Sequence, residues 1–406
     1  MNNHKIRISL ILVCVCAIFL SSCTTQTGSN SDTEQLLQEM INQHYLALKE
    51  GLTLPEQLGM LLYVQTPKES YTVQSGFAGQ QYSSETHYRI ASVTKTFTAA
   101  SVMLLEQEGK LHIEDSVSAN IPGTGLPYLP DDEDYAIPYR DRITIKDLLS
   151  HRAGIFDVFN DPIPADSKEP YAGMNYIAYI QDTEGDDPHQ YTLAELASVI
   201  AKDQLTYGEP GTQHHYSDSG YMLLATIIER VSNMTYGQFL HQRFFAPLGM
   251  TFTSAPDSAR DTKLDQPYFE GYARWDAQYF NATEDNMSSN IGAGNIVSTP
   301  KDMAHWISSL LTGHSSLSMS QIDIMKTIPE GNTNYALGLS LSPIGIGHSG
   351  AHPGYLNFVQ YHEESGISLV LVAPFVDYDE GNMDHVAATS QVMLDSMEDA
   401  LEICRR

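Results

Sequence analysis

Apolar residues recur at helical spacing between Glu34 and Lys49, at Leu36, Leu37, Met40, Ile41, Tyr45 and Leu46, and Gly51 ends the pattern. Two strand-like runs follow, Leu58 to Val64 and Tyr71 to Phe77, around a Pro67-Lys68-Glu69-Ser70 turn. From about Ser92 to Glu108 the chain is heavily apolar, with Phe97, Ala100, Met103 and Leu104 at its centre, which predicts a buried helix stopped by Gly109. Thr144 to Asp147 has the spacing of a capping box before Leu148 and Leu149, and Gly154 closes that short helix. Tyr221 to Val231 and Tyr236 to Phe245 predict two further helices before a turn at Pro247 to Met250. Thr299-Pro300-Lys301-Asp302 starts another, with proline at its first position. Residues 122–140 and 157–190 are rich in Pro, Asp and Tyr and predict loops that form an acidic rim.

The last hundred residues change character. Tyr335 to Leu341, Leu356 to His362 and Ile367 to Pro374 read as strands of one antiparallel sheet, and His385 to Ile403 as a closing helix. Helix and strands at both ends therefore flank a helical middle. This predicts an α/β (α+β) fold, an antiparallel sheet flanked by N- and C-terminal helices. Residues of about 34–110 and 296–406 build it, and a mostly helical part of about 111–295 is inserted.

The beginning of the chain reads as an address. Lys5 and Arg7 precede an apolar run, Leu10 to Leu20, that is short for a bilayer span. The run ends Leu20-Ser21-Ser22-Cys23, which resembles a bacterial lipobox: residues 1–22 would be removed and Cys23 would carry lipid. Residues 23–33, rich in Thr, Ser and Gly, would be a flexible tether. The expected location is the bacterial cell envelope, with the protein held to a membrane through Cys23 and facing the periplasm or exterior. Cys14 and Cys16 lie in the leader and Cys404 stands alone near the other end, so no disulfide framework is expected. The net charge of −28 argues against nucleic acid as a partner, because no basic surface is available to displace counterions.

Chemistry concentrates in three stretches. Ser92 and Lys95 share one face at the head of the central helix, where free backbone N–H groups and the positive end of the helix dipole also lie. An amine beside a hydroxyl, with donors for an oxyanion, is the minimum kit for a nucleophilic serine. The second stretch is His215-Tyr216-Ser217-Asp218, and the third is Gly347-His348-Ser349-Gly350-Ala351. In this order they resemble the Ser-x-x-Lys, Tyr-x-Asn and Lys/His-x-Gly motifs of the class C β-lactamase and DD-peptidase family. The resemblance extends to Glu108-Gly109-Lys110, Leu148-Leu149-Ser150-His151, Ala246 to Met250 and Ser298-Thr299.

That resemblance implies a β-lactamase/transpeptidase-like fold and a serine hydrolase that works through an acyl-enzyme without metal or other cofactor. Ser92 would be the nucleophile, and Lys95 and Tyr216 would share the proton transfer. The backbone N–H groups of Ser92 and Ala351 would form the oxyanion hole. Asp218, His348, Ser349 and Gly350 would line the substrate, with Gly350 keeping the strand open to it. The Lys95 ammonium would favour a Tyr216 phenolate, and crowded cations would lower the lysine. The implied partner is a small molecule or peptide, peptidoglycan included. The implied reaction is hydrolysis of D-amino-acid peptides or β-lactam-like amides, with a carboxylesterase or a non-catalytic penicillin-binding sensor of the same fold as alternatives.

Two departures bear on specificity. Asp218 stands where the commonest family pattern has Asn, and His348 where β-lactamases have Lys. Histidine titrates near neutrality, so activity is expected to fall as His348 loses its proton. No Lys or Arg lies between Lys326 and Arg405, so the strand carrying His348 offers no permanent cation for a substrate carboxylate unless Arg152 or Arg274 reaches in. An α/β-hydrolase elbow at Gly347 to Ala351 is disfavoured, because Pro353 and Gly354 follow where a helix should start. A metal hydrolase built on His214, His215, His348 or His352 lacks a credible helical ligand pair.

Overall fold

The computed structural model describes residues 30–52, 54–183, 188–378 and 383–406. The proposed leader, Cys23 and most of the tether lie outside these residues. Helix α1 (Asn30–Gly51) leads into strands β1 (Gly59–Gln65), β2 (Ser70–Gly76) and the short β3 (Tyr88–Arg89). Helices α2 (Thr94–Gln107), α3 (Ile145–Leu149), α4 (Tyr176–Thr183), α5 (Leu193–Lys202), α6 (Asp218–Ser232), α7 (Tyr236–Leu240) and α8 (Ala246–Leu248) make up the middle. A hairpin, β4 (Tyr272–Trp275) and β5 (Gln278–Asn281), precedes β6 (Val297–Ser298), α9 (Pro300–Leu311) and α10 (Met319–Lys326). Strands β7 (Ser340–Ser342), β8 (Gly345–His352), β9 (Tyr355–His362), β10 (Ile367–Ala373) and β11 (Phe375–Asp377) and helix α11 (Asp384–Arg405) complete the described chain.

The main sheet has the order β2-β1-β10-β9-β8-β7, all neighbours antiparallel. Both of its faces are covered. Met60, Leu62, Val64, Leu369 and Leu371 pack with residues of α1 and α11 on one side. Their alternates Leu61, Tyr63, Val370 and Val372 pack into the larger cluster with α2, α6 and α9 on the other. Side chains alternate between faces along a strand, so a central strand covered on both sides must be apolar throughout. This is why β1 and β10 read as largely apolar runs, with the buried Ser368 donating its hydroxyl to the Ala304 carbonyl.

Helix α2 is surrounded, and every residue from Thr94 to Leu105 is buried. Its polar side chains find partners in the preceding turn and on remote segments. Thr96 donates to the Val93 carbonyl (2.8 Å), Ser101 to the Phe97 carbonyl (2.8 Å), and Thr98 to the Gly292 carbonyl (2.6 Å). Trp306 of α9 stacks on Phe97 with ring centroids 3.9 Å apart and donates its indole N–H to Thr96 (2.8 Å). The capping box expected at Thr144 is present, with Thr144 accepting from the Asp147 N–H and Asp147 from the Thr144 N–H.

The structure departs from the sequence reading at several elements. Helix α1 begins at Asn30, so the last residues read as tether are helical. Helix α4 lies inside a stretch read as loop, where Tyr176 and Ile180, four apart, supply one buried face. The strand expected from Tyr335 begins only at Ser340. Gly338, at φ +70°, comes so close to α2 that a Cβ there would lie 2.4 Å from that of Ala99. The chain must turn at this point instead of extending.

Trp306→Ala should cost about 3–5 kcal/mol of stability through the lost stack and cavity. Urea unfolding checks this.

Candidate active site

The segment before α2 makes a tight turn, Ala91 to Val93, in which Ala91 adopts φ +50°. That left-handed conformation costs a non-glycine residue roughly 1–2 kcal/mol, so surrounding contacts must enforce it. One such contact is β8. A Cβ on Gly350 would lie 2.2 Å from the Ile90 carbonyl oxygen and 3.1 Å from the Ala91 Cβ. The missing side chain of Gly350 thus admits the Ser92 turn, a role the sequence reading did not assign to it. Asn357 of β9 ties the two together by donating its amide to the Ile90 and Gly350 carbonyls (both 3.2 Å). Ser92 is half-buried in this turn, with Ser349 half-buried and Ala351 exposed on the strand that passes it.

The Lys95 side chain is completely buried. Its ammonium donates to Ser92 Oγ (2.9 Å) and to the Ala293 carbonyl (2.8 Å), and pairs with Asp218 Oδ1 (2.6 Å). Two hydrogen-bond acceptors and one carboxylate thus surround the buried charge. Tyr216 lies over the same group, with its ring centroid 5.0 Å from Nζ. Helix α6 begins at Asp218, three residues earlier than the apolar pattern suggested, with Ser217 as its N-cap. That start brings Tyr216 and Asp218 to Lys95 together. Asp218 is held in turn. Asn160 donates to its Oδ2 (3.0 Å) and to Asp157 Oδ2 (2.8 Å), and the Asp218 backbone N–H donates to Asp157 (3.1 Å). Burial and the neighbouring Asp218 charge push the Asp157 carboxyl up.

The electrostatics reverse the expectation for the pair. Burial alone would lower Lys95, but the Asp218 carboxylate and the Tyr216 oxygen outweigh it and raise the lysine above its ordinary 10.5. Burial raises Tyr216 above its ordinary 10.0. Lys95 pulls it down, but Asp218 pushes it back up. The resting site therefore holds an ammonium and a neutral phenol: the Asp218 carboxylate favours the first, and burial together with that carboxylate favours the second.

His348 is also corrected. It is 3% exposed, and its ring nitrogens meet Tyr335 Oη (3.0 Å) and the Ser349 carbonyl (2.5 Å). Burial and the Lys95 charge lower its pKa to about 4. The ring is neutral at pH 7, so loss of a proton from His348 cannot govern activity near neutrality. Arg274 pairs with Asp377 (2.9 Å). Arg152 donates to Asn332 (3.3 Å) and to the Gly211 carbonyl.

The structure thus gathers Ser92, Lys95, Tyr216 and Asp218 around one ammonium and runs Ser349 to Ala351 past the serine. The sequence reading missed Asp157, Asn160, Ala293, Tyr335 and Asn357. His151, noted only as part of a motif stretch, is buried against Tyr216 with ring centroids 4.1 Å apart. Among the described residues no group of three or more His, Cys, Asp or Glu is placed to hold a metal ion.

A buried lysine paired with a serine at a helix head, beside one strand of an antiparallel sheet, defines the serine β-lactamase/transpeptidase class of serine hydrolases. The chain belongs to the Beta-lactamase family, which matches residues 53–389. It is similar to Protein flp of Staphylococcus aureus (strain N315), with 28% identity over 295 residues that cover 71% of this chain and 53% of that protein. The chain thus spans about half the length of the curated relatives it matches first. It is also similar to Penicillin-binding protein 4* of Bacillus subtilis (strain 168), with 29% identity over 187 residues, or 46% of this chain and 34% of the relative. Among solved structures, the D-amino acid amidase from Ochrobactrum anthropi SV3 complexed with L-phenylalanine amide shares the fold. The TM-score is 0.70 at 24% identity, covering 92% of this chain and all of that one.

Removing the Asp218 charge takes away one contribution that raises both Lys95 and Tyr216, while burial still raises the phenol. Asp218→Asn should therefore move the pH at which Ser92 labelling rises to a lower value. Labelling with a fluorophosphonate across pH 6–11 measures the shift; an unmoved rise refutes the assignment.

Proposed function

We propose that the protein hydrolyses amide bonds next to D-amino acids, in small amides or peptides, through an acyl-enzyme on Ser92. The observation that carries this reading is the Ser92 hydroxyl 2.9 Å from the fully buried Lys95 ammonium, with the Tyr216 ring over the same nitrogen. The reactive form is the cluster after it has lost one proton, from Lys95 or Tyr216. Ser92 then passes its proton to that base while Oγ bonds to the substrate carbonyl carbon. The carbonyl oxygen takes up the charge facing the Ser92 and Ala351 N–H groups, a contribution of roughly 3–4 kcal/mol per donor. The same proton goes to the leaving amine as the C–N bond breaks. Water, activated by the same base, then releases the acyl group.

The substrate class rests on two further supports. One solved structure with the same fold is a D-amino acid amidase. In addition, His348 of β8 is neutral, His352 at its end is turned to Asp285, and Arg274 is engaged by Asp377. A substrate blocked as an amide needs no cation at this strand, whereas a free C-terminal carboxylate does. Ser92→Ala should lower turnover of D-amino acid amides at least about a thousandfold. Intact-mass analysis after a panel of D- and L-amino acid amides, peptidoglycan peptides, β-lactams and short esters identifies the acyl donor. An adduct elsewhere than Ser92, or turnover surviving Ser92→Ala, overturns the reading.

We further propose that Cys23 carries a lipid that anchors the enzyme at the cell envelope. The support is the Leu20-Ser21-Ser22-Cys23 stretch after a short apolar run. Among the described residues no helix is long and apolar enough to cross a membrane. Metabolic labelling with an alkyne fatty acid should mark the wild-type protein and not Cys23→Ser. Equal labelling of both refutes the anchor.

A further inference from the structure

A buried hydrogen-bonded chain links the Tyr216-Ser217-Asp218 stretch to strand β8. The Ser217 backbone N–H donates to His151 Nδ1 (3.2 Å). That nitrogen therefore carries no proton, and in the neutral ring the proton sits on Nε2, which faces Tyr335 Oη (3.2 Å). At the other end His348 Nδ1 lies 2.5 Å from the Ser349 carbonyl, which can only accept, so His348 Nε2 is left as an acceptor for the Tyr335 hydroxyl (3.0 Å). With both rings neutral, one proton arrangement satisfies all four contacts. It runs from Ser217 to His151, on through Tyr335, and ends at His348 and Ser349. Tyr221 donates its hydroxyl to the Leu149 carbonyl (2.7 Å), and its oxygen is a further neighbour of the Tyr335 hydroxyl.

The chain also walls in one phenol. The His151 ring lies 4.1 Å from that of Tyr216, Tyr335 stands edge-on to Tyr216 at 6.0 Å, and His348 lies at 6.4 Å. His151 sits just beyond α3 at φ +56°, a position where glycine would be unstrained. Strain of about 1–2 kcal/mol is accepted there for a ring that reaches Ser217.

We propose that His151 and Tyr335 are positioning residues that act through Tyr216, fixing its ring against Lys95 and holding it in register with β8. This inference rests on Tyr216 taking part in proton transfer, as proposed above. An added proton on His151 would set donor against donor at the Ser217 N–H, and one on His348 would force the Tyr335 hydroxyl to turn away from it. The charged and titratable groups facing His151 are Lys95, His214, His215 and His348, with Tyr216, Tyr221 and Tyr335 around it. Those facing His348 are Lys95, Asp218, Tyr216 and Tyr335. Burial and Lys95 push both rings down, so the chain stays intact at neutral pH and breaks only in acid.

The test uses hydrolysis of p-nitrophenyl acetate, whose leaving group needs no proton and keeps slow variants measurable. Tyr335→Phe, which keeps the ring but cuts the chain, should lower kcat about 10–100-fold with KM within about twofold. In a Tyr216→Phe background the same change should add nothing beyond about twofold, because a residue acting through Tyr216 has lost its target. His348→Leu cuts the chain at its other end and should give the same pattern; it carries the comparison if Tyr335→Phe does not fold. Wild-type kcat in both cut variants overturns the proposal. So does an undiminished further loss in the Tyr216→Phe background. Wild-type activity in Ser92→Ala or Tyr216→Phe alone would instead refute the functional reading on which the proposal rests.

Discussion

A completely buried ammonium with three different partners organises this protein. Removing Lys95 from water is tolerable only because Ser92 and the Ala293 carbonyl accept hydrogen bonds from its ammonium and Asp218 neutralises its charge. Those partners come from the turn before α2, the segment before β6 and the start of α6. One charge therefore pins three remote parts of the chain to one point. The strained Ala91, the clamp at Asn357 and the close pass of Gly350 all hold the serine turn where that charge requires it.

The two-faced sheet supplies the rigidity. Alternate residues of β1 and β10 fill different cores, one with α1 and α11 and one with the central helices. A slip of one residue would exchange the two sets, so the register is strongly specified. Strand β8 inherits that register through β9, which fixes the height at which Ser349 to Ala351 pass Ser92. The chain through Tyr335 then ties β8 to the Tyr216 stretch, so sheet and helical middle meet at the same group.

Much of this was legible beforehand. The apolar runs found both ends of the sheet and the buried helix, because burial on both faces and all-round burial leave a direct imprint on composition. The three motifs also named the gathered residues, since side chains that must meet a substrate are short-listed by their chemistry. The partners of those residues were not legible. Asn160, Asn357 and Tyr335 are common residue types at unremarkable spacings, and only folding brings them to the site. Helix α4 was missed because its apolar stripe is short and sits among polar loop residues.

Charge state is where the two kinds of information part most clearly. By itself the sequence determined the family, the sheet-and-helix architecture and the identity of the serine, lysine and tyrosine that converge. It also showed that an aspartate and a histidine replace commoner residues. Only the tertiary structure decided what those replacements do. Asp218 raises Lys95 and Tyr216 because it lies 2.6 Å from the ammonium in a buried site, and His348 is neutral because it is buried beside that same cation. A pKa depends on distance and desolvation, and neither is written in the order of residues along a chain.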